Sequence, residues 1–490
     1  MEEEILKDLK TNVLKWYEFK KNAEIVYIGE SQELITYLKK SHKVHAIKEI
    51  KEINNNKKYD YIIVDTVLIN VSDIKQLKTC IEIDSKIIFI LDNKYGISNF
   101  VTYNYNKQIS CLDEEKIYVS IEKICEELKQ NEFYINKYML YPNKNKVDMI
   151  INEKYTEISD KIEKYFYNYE DEKVVICDEI KVLKNIQKYD MQLFKKLANS
   201  YFIEVSMKPI ENDIKYVSYN NYRKEKYRLI TKIKQDKVEK QEENEKSKAH
   251  IKDIAKNMEV LKGYNFKILD KFENNILYSD FIKNEQTLDM QLAQNYNNVE
   301  YIVKILSVIK EELLKHVIKC EQIPNDSICK KIAPELSPEL NYLEYAFYDM
   351  IPKNCFYIDG EFYFFDQEWM EKYLPVEFII YRAIINSYDL VRIINVNELL
   401  EKLNILKYKE MFEKIDQELR TKLIDIERLK ICQKENRKMY EIVYDNKVFK
   451  NINNEYEQIL KDLKENDEKQ DQYIKFLECQ IAELQEKKGI

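Results

Sequence analysis

Residues 347–369 read FYDMIPKNCFYIDGEFYFFDQEW. Within them an Asp-x-x-x-x-Asn motif is followed by two short aromatic-rich runs around an Asp-Gly pair at 359–360, and the stretch closes with Asp-x-Glu-Trp. An Asp-Gly pair between alternating apolar runs predicts a β-hairpin. Such a hairpin would bring Asp349 and Asn354, which precede it, close to Asp366 at its far end.

These three side chains carry the oxygen ligands that hard divalent cations prefer. In kinase-type phosphoryl transfer, a loop Asp orients the acceptor hydroxyl, an Asn five residues later holds a metal ion, and a later Asp holds metal that bridges the phosphates. The spacing therefore predicts Asp349 as the catalytic residue, and Asn354 and Asp366 as ligands of Mg²⁺ bound with ATP. Because Asp and Asn also favour turns, turn formation alone is the alternative explanation.

Composition limits the classes of function. The chain has 490 residues, 45% apolar and 34% charged, with a formal net charge of −8, which predicts two to four globular domains and gives no basic character for nucleic acid. Nine cysteines without a CxxC pair and only four histidines argue against a zinc site and a disulfide scaffold. The N-terminus MEEEILKDLK is charged, and no apolar run approaches the ~20 residues of a membrane span, so we expect a cytoplasmic protein without one.

Glycine is scarce in this chain. Its five glycines form neither a GxGxxG motif nor a P-loop. A nucleotide or other cofactor must therefore be bound without a glycine-rich phosphate loop.

Residues 1–150 are predicted to form an α/β domain. Near-continuous apolar runs alternate with helical patterns, and these runs are EIVYI (24–28), KVHAI (43–47), DYIIVD (60–65) and KIIFIL (86–91). This alternation is typical of a Rossmann-like parallel sheet covered by helices on both faces. Ligands of such sheets bind at the carboxyl ends of the strands. The residues at that edge are Gly29, Glu30, Lys48, Asp65 and Asp92.

The first domain resembles a class I S-adenosylmethionine (SAM) methyltransferase in its order of strand, Gly29, helix, second strand and YDYIIVD. The segment IIFILDNKYGISNF (87–100), together with residues 116–151, is similar to a subfamily from bacterial surface-polysaccharide and flagellar-glycan gene clusters. The resemblance implies SAM bound at Gly29 and Glu30. Two features depart from it, because the first loop keeps a single glycine and Lys48, which cannot accept hydrogen bonds from ribose hydroxyls, follows the second strand. A sheet kept as a scaffold is the alternative.

Residues 151–195 are rich in Tyr, Lys and Glu and are predicted to form a helical connector without a site. Residues 196–440 are predicted to form a second domain. It begins with the strand patterns YFIEVSM, IKYVSY, KYRLITKIK and KVEKQ, followed by the charged helix HIKDIAKNMEVLKG. Antiparallel strands followed by a helix are typical of the small lobe of a kinase-like fold.

Two basic residues of this small lobe are candidates for contacting phosphate. Lys240 shares a strand face with Val238, and we expect its partner to be Glu243 or Glu245 near the following helix. Arg223 lies where kinases have a glycine-rich loop, and its guanidinium suits phosphate. Because the segment is rich in Lys, a solvated Lys240 is the alternative.

The second domain resembles aminoglycoside- and choline-kinase-like proteins in LYSDFIKNEQTLDM (277–290) and in the opening stretch. The resemblance implies the same roles that the spacing predicts for the Asp-x-x-x-x-Asn motif and for Asp366, and it places Glu368 in the Asp-x-Glu that follows. One departure is Phe347, which stands where those proteins usually have His.

Arg382 lies in the mostly apolar run EWMEKYLPVEFIIYRAI (368–384). A buried Arg usually needs a carboxylate partner. We expect that partner to be Asp366, Glu368 or Glu377.

Residues 441–490 are predicted to form a helical tail. Ile474, Leu477, Ile481 and Leu484 keep the 3-4-3 spacing of a coiled-coil seam. A seam this short is marginal alone, so it would serve self-association or docking on a partner. A solvent-exposed helix is the alternative.

The fold class that follows is α/β plus α+β: a methyltransferase-type sheet domain, a bilobal protein-kinase-like domain and a helical tail. The resemblance implies a cytoplasmic bacterial transferase of surface- or flagellar-glycan biosynthesis, with other glycan enzymes as possible partners. The first hypothesis is Mg–ATP phosphotransfer to a sugar or small-alcohol hydroxyl. The alternatives are a SAM-dependent methyltransferase with a degenerate SAM loop, and a non-catalytic scaffold built from two degenerate enzyme folds.

Overall fold

A computed structural model describes residues 2–66, 71–104, 120–155, 173–175, 177–282, 286–391 and 393–433. The expected coiled coil at 441–490 lies outside the described residues, and so does its seam of Ile474, Leu477, Ile481 and Leu484. Within the described ranges, no helix has both the length and the apolar character that a bilayer span requires.

The secondary structure of the described residues alternates strands and helices along most of the chain. The first ten strands are β1 (Glu24–Gly29), β2 (Lys43–Ile47), β3 (Tyr59–Asp65), β4 (Ile81–Asp92), β5 (Thr102–Asn104), β6 (Tyr134–Asn143), β7 (Lys146–Asn152), β8 (Lys173–Val175), β9 (Ser200–Ser206) and β10 (Tyr216–Tyr219). The next ten are β11 (Leu229–Ile233), β12 (Lys237–Glu242), β13 (Lys267–Ile268), β14 (Asp270–Glu273), β15 (Ile276–Asp280), β16 (Val317–Ile318), β17 (Tyr342–Phe347), β18 (Cys355–Ile358), β19 (Glu361–Phe364) and β20 (Met370–Pro375).

The helices cover the faces of the sheets and build the larger lobe of the second domain. They are α1 (Glu2–Lys15), α2 (Gln32–Lys39), α3 (Val71–Thr79), α4 (Ser98–Val101), α5 (Ile121–Gln130), α6 (Glu179–Tyr189), α7 (Met191–Phe194), α8 (Lys248–Leu261), α9 (Leu288–Gln294), α10 (Val299–Leu313), α11 (Ile328–Ile332), α12 (Val376–Ile385), α13 (Tyr388–Val391), α14 (Val396–Lys402) and α15 (Lys409–Leu423).

Four neighbouring strands of the main sheet are parallel, as the apolar runs predict. Strand β1 pairs in parallel with β2 and β3, and β3 pairs in parallel with β4. The central residues of β1, β3 and β4 are buried. Helices cover both faces of a parallel sheet, so its strands bury both sides and are apolar throughout.

Strand β9 lies between β4 and β6, antiparallel to both. The sequence YFIEVSM was expected to open the small lobe of the second domain, so this assignment is wrong. All residues of β9 are buried, and a pattern buried on both faces suits the centre of any sheet. The apolar pattern therefore predicts the strand but not its neighbours.

The small lobe is continuous with the first sheet. Strand β7 pairs with β10, and the single twelve-stranded sheet has the order β14-β15-β12-β11-β10-β7-β6-β9-β4-β3-β1-β2. Helix α8 packs on the small-lobe strands through Ile251, Ile254 and Met258, which cluster with Leu229 and Leu277. The position of β12 relative to the first sheet is thus set by backbone hydrogen bonds across neighbouring strands.

The predicted hairpin is confirmed. Strands β18 and β19 are antiparallel, with Ile358 opposite Glu361. The two turn residues, Asp359 and Gly360, have φ of 52° and 84°. A two-residue turn with both φ values positive matches the twist of the flanking strands, and Asp-Gly adopts it readily.

Candidate functional site

The candidate site lies where strand β12 of the small lobe meets the end of the β18–β19 hairpin. Lys240 on β12 is buried. Its Nζ contacts the carboxylate of Asp366 and lies 3.4 Å from Oε2 of Glu368. The structure therefore brings the predicted phosphate-contacting Lys and a predicted metal ligand to one point.

The expected partners of Lys240 are elsewhere, which corrects that prediction. Glu243 pairs with Lys15 of α1 at 2.8 Å, and Glu245 pairs with Lys248 at 2.7 Å. Instead, the carboxylates that hold Lys240 come from the segment after β19. Contacts between segments about 126 residues apart depend on tertiary packing, so local spacing could not show them.

Glu368 is the most densely paired carboxylate of the site. It accepts hydrogen bonds from Nη1 of Arg223 at 2.5 Å and from Nε2 of His250 at 2.8 Å. The indole ring of Trp369 stacks on the His250 ring, with centroids 4.7 Å apart, and the Arg223 guanidinium lies 5.0 Å from the Trp369 ring centroid. Burial opposes the charge of Glu368, but Arg223 and Lys240 outweigh it and hold the pKa of this carboxyl well below its usual range.

Arg223 is thus tied to Glu368 and Trp369 rather than exposed. A phosphate contact by Arg223 therefore stays a prediction. His250 on α8 is a residue that sequence reasoning missed. Its only signal was the rarity of histidine, because a lone His within an amphipathic helix looks like a core residue.

Asp349 and Asn354 lie together beside Asp366. The amide groups of Asn354 and Gln367 donate to the backbone carbonyl of Asp349 at 3.2 Å and 3.0 Å. The backbone N–H of Phe365 donates to the carbonyl of Asn354 at 3.0 Å, which holds the end of the hairpin against the motif. These bonds place Asn354 and the end of the hairpin next to the backbone of Asp349. The metal-ligand roles of Asn354 and Asp366 stay predictions.

The carboxylate of Asp349 has no hydrogen-bond or ion-pair partner among the described residues. Burial and the nearby charge of Asp366 raise the pKa of Asp349 to about 7. Asp366 itself has a φ of 57°, and its side chain is 39% exposed. The site therefore combines the unpaired, half-buried carboxylate of Asp349 with a second carboxylate that pairs with Lys240 and is partly exposed.

This donor set fits Mg²⁺. Within the described ranges, no group of three or more His, Cys, Asp or Glu side chains is arranged to hold a metal ion by itself. Mg²⁺ in nucleotide sites needs only one or two carboxylates, because phosphate and water oxygens complete its coordination. Asp349, Asp366 and the amide of Asn354 are of the chemistry required.

Arg382 corrects another prediction. Its guanidinium contacts the carboxylate of Asp416 on α15, and its Nε donates to the Tyr348 carbonyl at 2.9 Å. The expected partners Asp366, Glu368 and Glu377 are not the ones used. Arg382 thus links helix α15 to the backbone of Tyr348, the residue before Asp349.

The carboxyl edge of the first sheet holds Gly29 and Glu30. Gly29 has a φ of 152°, and a Cβ atom there would lie 2.7 Å from the Asp65 carbonyl oxygen, so the approach of β1 to β3 already requires glycine. Glu30 is exposed and pairs with Lys48 at 3.2 Å. A cavity of about 310 Å³ lies at this edge, lined by Lys10, Glu30, Ser31, Gln32, Glu33, Asp65, Lys144 and Asn145.

Lys144, which sequence reasoning missed, lies across this edge. Its Nζ is 2.8 Å from Oδ1 of Asp65 and 3.4 Å from Oδ2 of Asp92. Burial opposes the charge of Lys144, but Asp92 and Asp65 outweigh it and raise its pKa. Two observations oppose SAM binding at this edge: Lys48 and Glu30 pair with each other, and the ammonium of Lys144 already pairs with Asp65 and Asp92.

The first prediction concerns the paired carboxylate. Glu368→Gln leaves Arg223, Lys240 and His250 without their shared negative charge, so the free energy of unfolding at pH 7 should fall by about 3 kcal/mol. Urea titration followed by circular dichroism measures this change. Glu361→Gln, at an exposed position of the same hairpin, is the control and should change stability by less than about 0.5 kcal/mol. Equal effects of the two substitutions would contradict the buried network.

The second prediction concerns pH. Since the pKa of Asp349 in the folded protein is raised to about 7, its ionisation there costs stability as pH rises from about 4 to above 7. Asp349→Asn removes that cost. Without divalent cations, the melting temperature of this variant relative to the unsubstituted protein should therefore increase between pH 5 and pH 8. A difference that is constant over this range would contradict the raised pKa, and Asp359→Asn is the matched control for loss of one carboxylate.

Comparisons with known proteins give structural neighbours only. No protein-family model matches the chain. No curated protein matches its sequence. Among solved structures, the chain is similar to the plantazolicin methyltransferase BpumL in complex with SAH (13% identity, 43% of this chain and 85% of that chain, TM-score 0.24). It is also similar to a putative SAM-dependent methyltransferase from Listeria monocytogenes (10%, 41% and 98%, 0.25) and to choline kinase LicA from Streptococcus pneumoniae (12%, 44% and 89%, 0.25). At these TM-scores the similarities carry no functional argument.

Proposed function

We propose that the protein is a phosphotransferase that uses Mg–ATP and a hydroxyl acceptor at the site between β12 and the β18–β19 hairpin. The observation that carries this proposal is the contact of Lys240 with Asp366 beside the unpaired carboxylate of Asp349. A cation for phosphate, a carboxylate for metal and a free carboxylate for the acceptor are the parts that phosphoryl transfer needs.

Each residue has a separate role. Lys240 would hold the phosphates of the donor, and Asp366 with Asn354 would hold Mg²⁺. The metal ion, when bound, would neutralise charge on the transferring group. Asp349 would accept a hydrogen bond from the acceptor hydroxyl and orient it, since its carboxylate has no partner among the described side chains.

The ion pairs of Lys240 would allow it to exchange Asp366 for a phosphate group. Glu368 is 2% exposed and is held by two further donors, whereas the side chain of Asp366 is 39% exposed. When phosphate approaches Lys240, Asp366 is therefore the carboxylate that can turn away. Glu368 would remain in place and keep Lys240 charged and oriented.

For the acceptor of the phosphoryl group, we propose a chemical class and no single compound. The resemblances in the sequence favour a sugar or small alcohol of a surface or flagellar glycan, in a bacterial cytoplasm, with other glycan enzymes as partners. Two functions remain as alternatives: SAM-dependent methyl transfer around Gly29 and Glu30, and a non-catalytic scaffold. The cavity at the first sheet edge favours the former, and the pairing of Lys144 opposes it.

Binding is tested first. Mg–ATP at about 100 times its dissociation constant should stabilise the folded protein by about 3 kcal/mol, seen as a rise of several degrees in melting temperature. Asp366→Asn should weaken binding at least about tenfold, because one charged metal ligand is lost. It should lower the melting temperature of the ligand-free protein less than Glu368→Gln does, because Glu368 still pairs with Lys240. Isothermal titration calorimetry measures the affinity.

Asp359→Asn is the matched control for this experiment. Asp359 and Asp366 belong to the same hairpin segment and both have φ above 50°, a conformation that Asn adopts as readily as Asp. Only the metal-site variant should lose nucleotide affinity. No stabilisation by Mg–ATP, or equal affinity in both variants, would overturn the proposal, and stabilisation by SAM alone would favour methyl transfer.

Turnover is tested with labelled ATP and a panel of sugars and small alcohols. Asp349→Asn should reduce kcat by about 10² or more while nucleotide affinity is retained, since the substitution removes only the group that orients the acceptor. If nucleotide binds but no acceptor is phosphorylated and ATP is not hydrolysed, the site is a binding site without transfer.

A further inference from the structure

We propose that Lys144 is a built-in cation that occupies the ligand-binding edge of the first sheet, so that this sheet supports the small lobe and takes no cofactor of its own. The edge is the place where open parallel sheets bind ligands. In this chain, a side chain of the turn between β6 and β7 pairs with the carboxylates at this edge.

The first step is that both carboxylates at this edge have all their oxygens engaged. Asp65 accepts from Lys144 at Oδ1 and from the hydroxyl of Tyr27 at Oδ2, at 2.8 Å and 2.7 Å. Asp92 accepts from Ser200 at Oδ1, at 2.8 Å, and pairs with Lys144 through Oδ2. The same Ser200 hydroxyl accepts the backbone N–H of Lys144 at 3.1 Å, so the turn itself is anchored on the edge.

The second step is burial. The side chains of Lys144 and Asp65 are only 14% and 8% exposed. A ligand with its own cationic centre, such as the sulfonium and ammonium of SAM, could reach Asp65 only by displacing Lys144 into solvent. Breaking a buried ion pair is strongly unfavourable, because it leaves a desolvated charge unless the new partner replaces it well.

The third step is that every charged residue lining the cavity beside this pair has an ion-pair partner within the chain. Its remaining charged lining residues also pair with other side chains, Lys10 with Glu33 at 3.6 Å and Glu30 with Lys48 at 3.2 Å. A charged ligand would therefore have to displace one of these partners, and at the largely buried Lys144–Asp65 pair that displacement is unfavourable. Here each charge of the lining is met by the chain.

The fourth step is the positive role of the first domain. Helix α1 packs on β7 and holds the end of β12, because Lys15 pairs with Glu243 at 2.8 Å. Asp8 of the same helix pairs with Arg228 at 2.6 Å and with Arg428 at 2.8 Å. Glu243 follows Lys240 by three positions, so the first domain positions the strand that carries the cation of the candidate site.

The test uses the full chain and begins with the unsubstituted protein. Titration with SAM and with S-adenosylhomocysteine, followed by calorimetry and thermal shift, should show no saturable binding up to millimolar concentration. Saturable binding of either compound to the unsubstituted protein at micromolar concentration would overturn the proposal. This arm needs no variant and does not depend on whether Mg–ATP binds at the other site.

The second arm of the test measures the contribution of Lys144 to the stability of the folded protein. Lys144→Met should lower the melting temperature by several degrees, and Asp65→Asn added to it should restore at least half of that loss, because the buried negative charge is then absent. Lys48→Met is the matched control, since Lys48 pairs with a carboxylate at the same edge but is exposed, and it should leave the melting temperature unchanged.

Should Lys144→Met fail to fold, Asp65→Asn alone takes its place. An unchanged melting temperature in that variant would contradict the buried pair. A Lys144→Met protein as stable as the control variant also overturns the proposal.

Discussion

A buried ammonium between two carboxylates joins the small lobe of the second domain to the hairpin of its larger lobe. Lys240 comes from a strand, whereas Asp366 and Glu368 come from the end of the hairpin. Charges removed from water are tolerated only when their partners are placed well. The contact therefore fixes the position of the strand relative to the hairpin. Arg223 and His250 restrain it further, because both donate hydrogen bonds to Glu368.

That relative position is transmitted from a distant part of the chain. Twelve strands of the described residues form one sheet, so the strand of Lys240 is linked to the parallel strands of the first domain by successive ladders of backbone hydrogen bonds. Helix α1 adds ion pairs between the first domain and the small lobe. A sheet with fixed registers is stiff along these ladders, which suits a scaffold that must hold a cation in place.

The two candidate ligand sites differ in how fully their carboxylates are paired. At the first edge, Asp65 and Asp92 are met by Lys144, Tyr27 and Ser200. At the second site, Asp349 is half-buried with another carboxylate nearby, and its pKa is raised. A strongly perturbed, unpaired titratable group in a polar cluster is a feature of functional sites, while a saturated network is a feature of structural ones. The contrast directs the search for activity to the second site.

The sequence by itself determined the features that depend on neighbours along the chain. The hairpin at 359–360 follows from the positive φ that Asp-Gly accepts, and the parallel strands of the first domain follow from apolar runs between helical patterns. The approach of Asn354 to Asp366 follows from that hairpin. Such features are set by short-range sterics and periodicity.

Only the tertiary structure decided which distant groups meet. Lys240 pairs with Glu368 rather than with Glu243 or Glu245, and Arg382 pairs with Asp416. The insertion of β9 into the first sheet and the closure of its edge by Lys144 are of the same kind. Each depends on the packing of whole elements, because a charged side chain takes the partner that the fold places near it and a buried strand pattern is compatible with several neighbours.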